Sequence, residues 1–262
     1  MKLSFLDMQG NEICSFSSEV SGEEDNGKNG KKGEKGEKGA GAHRFVWNMR
    51  YPDAKQVDGF VGNDTALADP MIAPGTYQVQ LKVGDEVLSE TFEVAKDPRA
   101  TATQQDMEAQ FALRRDIWQK LSETHEAINT IRSIKRQVEE WEQRTQRQAD
   151  YEAIAQAAGP LKEQLSAIEE ELIQTKAKTR QDTLNHPAKL NAKLAALAGA
   201  VGTVQAAPTK QEYALFEDLS ARVDAQLQRL QEVINTALAA FNTLIRDAGV
   251  PAIIPSSELN GK

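Results

Sequence analysis

Any chemistry in this chain has to come from three histidines, one cysteine and a few groups of carboxylates, so their surroundings come first. His43 falls in an expected strand, His125 in an expected helix and His186 beside Pro187. None has another histidine, a cysteine or a carboxylate at metal-ligand spacing in sequence. His125 lies along an apolar helical stripe, where an imidazole is packed and not ligating. Cys14, in Ile13-Cys14-Ser15-Phe16, sits in an expected strand, and a lone thiol there reads as buried and inert. Asp53, Asp58, Asp64 and Asp69 could present oxygen ligands to calcium from a loop. Their spacing does not follow Asp-x-Asp-x-Asp-Gly with a distal glutamate, so they read as solvated loop carboxylates. Glu169-Glu170-Glu171 could supply an acid and a base, yet a charge run on a helix reads as a solvated face. Trp118 and Trp141 read as anchors of a helical core, not as a ligand stack. There is no Gly-x-Ser-x-Gly elbow, phosphate loop or dinucleotide fingerprint. The expectation is a non-enzymatic chain with no metal and no cofactor.

Charge and composition narrow the partners. The 262 residues are 40% hydrophobic and 27% charged, with a formal net charge of −8. Residues 1–99 hold 12 basic against 17 acidic residues and residues 100–262 hold 19 against 22, so both halves are mildly acidic. Binding to nucleic acid needs clustered lysine and arginine against phosphate, which argues against that partner. No stretch reaches the ~18 apolar residues of a membrane span, and the first residues are too short and too soon acidic for a signal peptide. A single cysteine permits no intrachain disulfide and leaves the redox compartment open. Any exported location would belong to a full-length parent.

The elements that would hold these residues change character at Asp97-Pro98-Arg99. Before that point the chain reads as short strands and turns. Residues 76–83 and 87–94 form the clearest pair: Tyr77, Val79, Leu81 and Val83 alternate with Gln78, Gln80 and Lys82, and Gly84-Asp85 makes the turn. A weaker hairpin is expected over 2–7 and 12–17 around Gln9-Gly10-Asn11, and another strand over 43–49 with Phe45 and Trp47 on one face. Eight of the chain's fifteen aromatic residues lie here, and with this spacing they point to an immunoglobulin-like or fibronectin-like β-sandwich over 1–98. Glycine recurs every third residue at 27, 30, 33, 36 and 39, but without proline and over so few triplets this is no collagen repeat. Residues 18–41 read as a flexible Gly/Lys/Glu loop.

After Arg99 the periodicity becomes helical. Four helices are expected, over about 103–144, 149–179, 188–199 and from 209 to about 248. Thr103 with Asp106 caps the first, and Thr209-Lys210-Gln211-Glu212 forms a capping box at the fourth. Gly159-Pro160 is expected to break or kink the second. Its Ile154, Ala158, Leu161, Leu165, Ile168 and Leu172 form a heptad seam. The stripe of the fourth is Phe216, Leu219, Val223, Leu227, Leu230, Ile234, Leu238, Phe241 and Ile245, an eleven-residue period that keeps a helix nearly straight. At ~1.5 Å per residue the first and fourth each reach about 60 Å. The fold class is therefore α+β and multidomain: the sandwich, then an elongated antiparallel helical bundle over 99–250, then a tail over 251–262. Its middle arm would be broken at Asn185-His186-Pro187, with a conventional four-helix bundle as the alternative.

Specific strings carry a resemblance. The run 39–52, Gly-Ala-Gly-Ala-His-Arg-Phe-Val-Trp-Asn-Met-Arg-Tyr-Pro, resembles a segment of bacterial BNR-repeat, sortilin/VPS10-like "glycosyl hydrolase" proteins. Ala73-Pro74-Gly75-Thr76-Tyr77, Asp97-Pro98-Arg99, the runs 181–187 and 190–199, Pro208-Thr209 and Phe216-Glu217-Asp218-Leu219 are similar to the same family. Relatives often have tyrosine where this chain has His186. The resemblance implies a large β-propeller preceding this region, with any hydrolase activity residing in that propeller. It also implies a further strand before Met1, and so a sandwich lacking its first strand and showing an unpaired edge. Strand 3–6 central and paired on both sides within one monomer would refute that truncation.

Two functions follow as expectations. The first is a non-catalytic accessory region serving as spacer and as docking or oligomerisation arm. Its partner would be protein, either the parent propeller or a second copy through the sandwich edge or the helices, with no nucleic acid and no membrane. The second is a carbohydrate-binding module stacking sugar on Trp47, Tyr51 or Phe60, which requires two or three aromatic rings exposed on one flat face. A glycoside hydrolase would need a carboxylate pair about 5–10 Å apart in a cleft, which no spacing here predicts.

Overall fold

The structure, a computed structural model, describes residues 1–17, 41–59, 69–146, 151–177 and 179–249. It is mixed α+β: a four-stranded antiparallel sheet followed by helices. The strands are β1 (Lys2–Leu6), β2 (Glu12–Ser17), β3 (Gly75–Val83) and β4 (Glu86–Val94), in spatial order β2-β1-β3-β4. The expected loop over 18–41 lies, but for Gly41, outside the described residues, as do Phe60, Asp64 and the tail over 251–262.

Local chemistry explains both hairpins. Between β1 and β2, the Asp7 carboxylate accepts the backbone N–H of Gln9 at 2.9 Å and of Asn11 at 2.8 Å, and Gly10 takes φ +83°. Between β3 and β4, Gly84 takes φ +60° at the first central position of a two-residue turn while Asp85 stays at negative φ, the pattern of a type II′ hairpin. β1 is interior: Phe5 pairs with Cys14 on one side and Val79 on the other. The expected unpaired edge at this strand is not there; the edges are β2 and β4. Opposite Leu6 and Phe5 stand Glu12 and Cys14, so Ile13 is an extra residue, a bulge that turns its side chain into the core.

One face of the sheet carries Phe5, Tyr77, Phe92 and Val94, with Ile13 and Ile72. The segment after Gly41 covers it, the Trp47 ring stacking on Phe5 at 4.2 Å and Phe45 meeting Phe16 at 4.6 Å. Phe45 and Trp47 share one face as their spacing requires, but no ladder forms over 43–49. Among the described residues outside the four strands, this region has a single bridge, Arg50 to Met71. Immediately before β3 the Tyr77 hydroxyl donates to the Ala73 carbonyl at 2.6 Å.

The helices are α1 (Gln104–Thr145), α2 (Tyr151–Leu172), α3 (Leu190–Val201), α4 (Lys210–Val233) and α5 (Ala239–Asp247), with a 3-10 turn at Arg180–Leu184 and a π-helical turn at Ile234–Leu238. Both expected caps form. Asp106 and Thr103 bond reciprocally at 2.8 and 3.1 Å, and Glu212 and Thr209 at 2.7 and 3.2 Å. The expected break at Gly159-Pro160 is not seen, and α2 runs through both residues. Pro160 deprives the Gln156 carbonyl of its helical hydrogen bond, but both residues are exposed, where water can take that carbonyl, and the buried seam from Ile154 to Leu172 holds the helix on its other side. α2 stops at Leu172, short of 179, and a second box opens the 3-10 turn at Arg180, where Thr179 N–H donates to Asp182 at 2.8 Å.

The chain divides into two compact units. The first holds the sheet, α1 up to Ser122, the end of α3 from Ala195 and the start of α4 up to Phe216. There Gln104 donates to the Pro74 carbonyl and Gln110 to that of Val201, both at 2.6 Å. The second unit holds the rest of the helices. In it α1 and α2 run antiparallel, with Arg132 reaching Glu169 and Glu142 reaching Lys162. The heptad seam of α2 is buried from Ile154 to Leu172, and α5 packs against α2.

Candidate functional site

The feature of the first unit most open to a partner is the outer edge of β4. Its position follows from the chain: β4 is the last strand, and the sequence after it turns helical. In a two-residue hairpin the pair that closes the turn, Val83 and Glu86, exchanges both backbone hydrogen bonds, and the pattern then alternates. Glu86, Leu88, Glu90, Phe92 and Val94 therefore bond β3. Val87, Ser89, Thr91 and Glu93 aim their N–H and C=O groups outward. Every side chain from Glu86 to Thr91 is exposed. Val87 is 54% and Leu88 65% accessible, high for apolar residues, and Val83 across the turn is 51% accessible. Asp85, Glu86, Glu90 and Glu93 make no ion pair with a described residue. The edge is acidic, partly apolar and, among the described residues, open in its backbone.

The residues singled out for sugar stacking are placed differently. Trp47 is half-buried; one ring face lies on Phe5 and its Nε1–H donates to the Arg50 carbonyl at 3.2 Å. Tyr51 is half-buried and faces α1, 5.7 Å from Phe111 and 5.9 Å from Trp118. Trp118 in turn donates to the Pro52 carbonyl at 2.9 Å, and Arg115 lies 5.8 Å from the centre of Phe111. Trp47 and Tyr51 thus meet different rings, while both pack against the core of Ile13, Ile72 and Tyr77. Phe60 lies outside the described residues.

Comparison with family models, curated proteins and solved structures finds no match.

The remaining candidates are built into the scaffold. Glu169, expected on a solvated face with its two neighbours, is buried, its side chain 7% accessible. It accepts Arg132 Nε at 2.7 Å and Lys135 Nζ at 3.1 Å, both from α1. Arg132 also donates to the Asp58 carbonyl at 3.0 Å, and the Asp58 N–H donates to Asn129 at 3.1 Å, so the second unit pins this loop through backbone groups. Glu170 and Glu171 are exposed. Asp69 uses its carbonyl to accept Arg50 at 2.9 Å. Burial, with the charge of Glu12 beside it, pushes the Cys14 thiol up to about 12, the environment of a structural cysteine. His125 is buried in α1, His186 half-buried and His43 exposed. Among the described residues no group of three histidine, cysteine or acidic side chains could hold a metal, and no helix is long and apolar enough to cross a membrane.

Sequence reasoning did not single out the β4 glutamates. The available signal was Glu86, Glu90 and Glu93 in the last strand before a helical region, with only one lysine, Lys82, on the neighbouring strand.

Proposed function

We propose that this chain is a non-catalytic accessory module that docks protein, attached in its parent to the propeller implied by the resemblance to BNR-repeat, sortilin-like proteins. The single observation that carries the docking reading is β4, a nine-residue edge strand with exposed apolar and acidic side chains and an outward row of free backbone groups. Such edges are templates for strand addition. In the second unit the heptad seam of α2 is buried and Glu169 is held by Arg132 and Lys135, which agrees with a spacer or arm.

The sheet reads in this proposal as one layer of an immunoglobulin-like sandwich, and the helices as an antiparallel bundle. The order β2-β1-β3-β4, two hairpins with the first strands of each adjacent, is that of the C′-C-F-G sheet of such sandwiches. The Tyr77 hydroxyl bonded to a backbone carbonyl four residues upstream, at the entry to β3, supports the same reading as a tyrosine corner. The covered ring faces of Trp47 and Tyr51 favour protein docking over the sugar-stacking alternative.

The test sets the whole chain against a separately produced β-propeller of a resembling protein, measures association by calorimetry, and follows self-association by sedimentation across concentration. Binding to the propeller or to itself is the expected result. Neither association, together with specific retention on a glycan array, would replace this reading with the carbohydrate one.

A further inference from the structure

We infer that the β4 edge accepts a fifth strand from a partner segment carrying lysine or arginine at two positions four apart, with an apolar residue midway between them. This rests on the docking reading above and specifies its partner. The outward backbone row is at Val87, Ser89, Thr91 and Glu93, so an added strand would bond those four residues. Side chains of paired strands stand opposite one another about 4.5–5.5 Å apart at Cβ. On the sheet face shared with Phe92, the added strand would meet Glu86, Leu88 and Glu90 in that order. Both glutamates lack an ion-pair partner among the described residues, and Leu88 is 65% accessible. A cation opposite each glutamate and an aliphatic side chain opposite Leu88 complete that face. Lys82, the one basic residue on β3, pairs with Val87 and so projects from the other face.

Charge also decides between occupants. Pairing β4 with the β4 of a second copy, in the two-fold register that uses all four outward residues, sets Glu90 against its own counterpart and gathers six glutamates on two adjoining strands. Like charges directly opposite are destabilising, so a basic segment of another protein fits and a second copy does not.

The whole chain is titrated with the end-blocked peptide TTKTVTKTT and with its acidic counterpart TTETVTETT, and backbone amide exchange is followed in parallel. The lysine peptide binds and the acidic one does not. Exchange at Val87, Ser89, Thr91 and Glu93 slows about tenfold or more, since an exchange-protected amide must have found an acceptor. Ser89→Pro removes an outward N–H and fills the space of the incoming strand without touching the β3 ladder, and lowers affinity more than about tenfold. Glu86→Lys with Glu90→Lys lowers it about fivefold and turns the preference to the acidic peptide. The charge-reversed variant carries the test should Ser89→Pro fail to fold. No binding, equal binding of both peptides, or binding without protection at the four outward amides overturns the proposal and leaves the glutamates as guards against edge-to-edge pairing. Protection of those amides by raising the protein concentration alone overturns it in favour of self-pairing. If the propeller or sedimentation measurement shows association while the peptide fails, this inference falls and the docking reading stands.

Discussion

Replacing Tyr77 with phenylalanine isolates one hydrogen bond in the sheet unit. The ring stays, with its packing on Phe92, Ile13 and Ile72, and only the 2.6 Å bond to the Ala73 carbonyl goes. At pH 7 the loss of a buried hydrogen bond that leaves its acceptor unsatisfied costs about 1.5 kcal/mol. The cost depends on pH in a definite direction. Burial raises the Tyr77 hydroxyl from 10.0 to about 12, with the nearby Tyr51, Asp7 and Glu108 adding to the rise. The unfolded chain therefore gives up this proton first. The stability is whole below pH 10 and is lost as the pH rises from 10 towards 12, by about 1.4 kcal/mol at pH 11. Phenylalanine has nothing to titrate, so the gap between the wild-type chain and Tyr77→Phe closes to nearly zero at pH 11. Other groups that titrate in this range, Cys14 included, contribute equally to both proteins and cancel. Urea unfolding at pH 7 and pH 11, followed by tryptophan fluorescence, measures the gap. A gap that is equal at both pH values, or one below about 0.5 kcal/mol at pH 7, refutes the assignment of this bond as the tie between Ala73 and β3.

Glu169→Ala leaves Arg132 and Lys135 facing each other without their shared anion, and should destabilise the second unit by about 2–3 kcal/mol in thermal or urea unfolding. Leu165→Ala, at a fully buried position of the α2 seam, should cost about 3 kcal/mol in the same assay. Gly84→Ala forces a side chain onto φ +60° and should cost about 1 kcal/mol, read as a lowered urea midpoint with unchanged slope. At pH 8 the Cys14 thiolate amounts to about one part in ten thousand, so a chromogenic disulfide reagent should react with it only after unfolding.

The parts of the fold written in local pattern were legible beforehand. The β3–β4 hairpin has strict alternation and a Gly-Asp turn, the caps at Thr103 and Thr209 are complete motifs, and the α2 seam has heptad spacing; each forms at its expected place to within a residue or two. Residues 43–49 read as a strand because Phe45 and Trp47 alternate correctly. Alternation fixes which way side chains point, whereas a ladder also needs a neighbouring strand, and that lies outside any local window. Pro160 misled because its cost depends on where the carbonyl it leaves unbonded lies, and that of Gln156 is at an exposed position open to water. Glu169 was grouped with Glu170 and Glu171 by adjacency, although a helix places neighbours about 100° apart and only the first of the three faces α1. The edge position of β4 depends on the order of strands in space. Once that order is known, the unpaired glutamates are a plain reading of the sequence.

The π turn at Ile234–Leu238 ties chain length to rotational phase. Upstream, α4 buries Leu219, Val223, Leu230 and Val233; downstream, α5 buries Phe241. Under ordinary winding, the eight residues from Val233 to Phe241 would leave those side chains about 80° apart around the axis. The wider loop takes up that angle and keeps both on the packed side. It acts as a splice: winding all its residues uniformly would swing everything beyond Leu238 about a quarter-turn away from α2, whereas deleting a single residue would restore ordinary winding and keep the packed side to within about 20°.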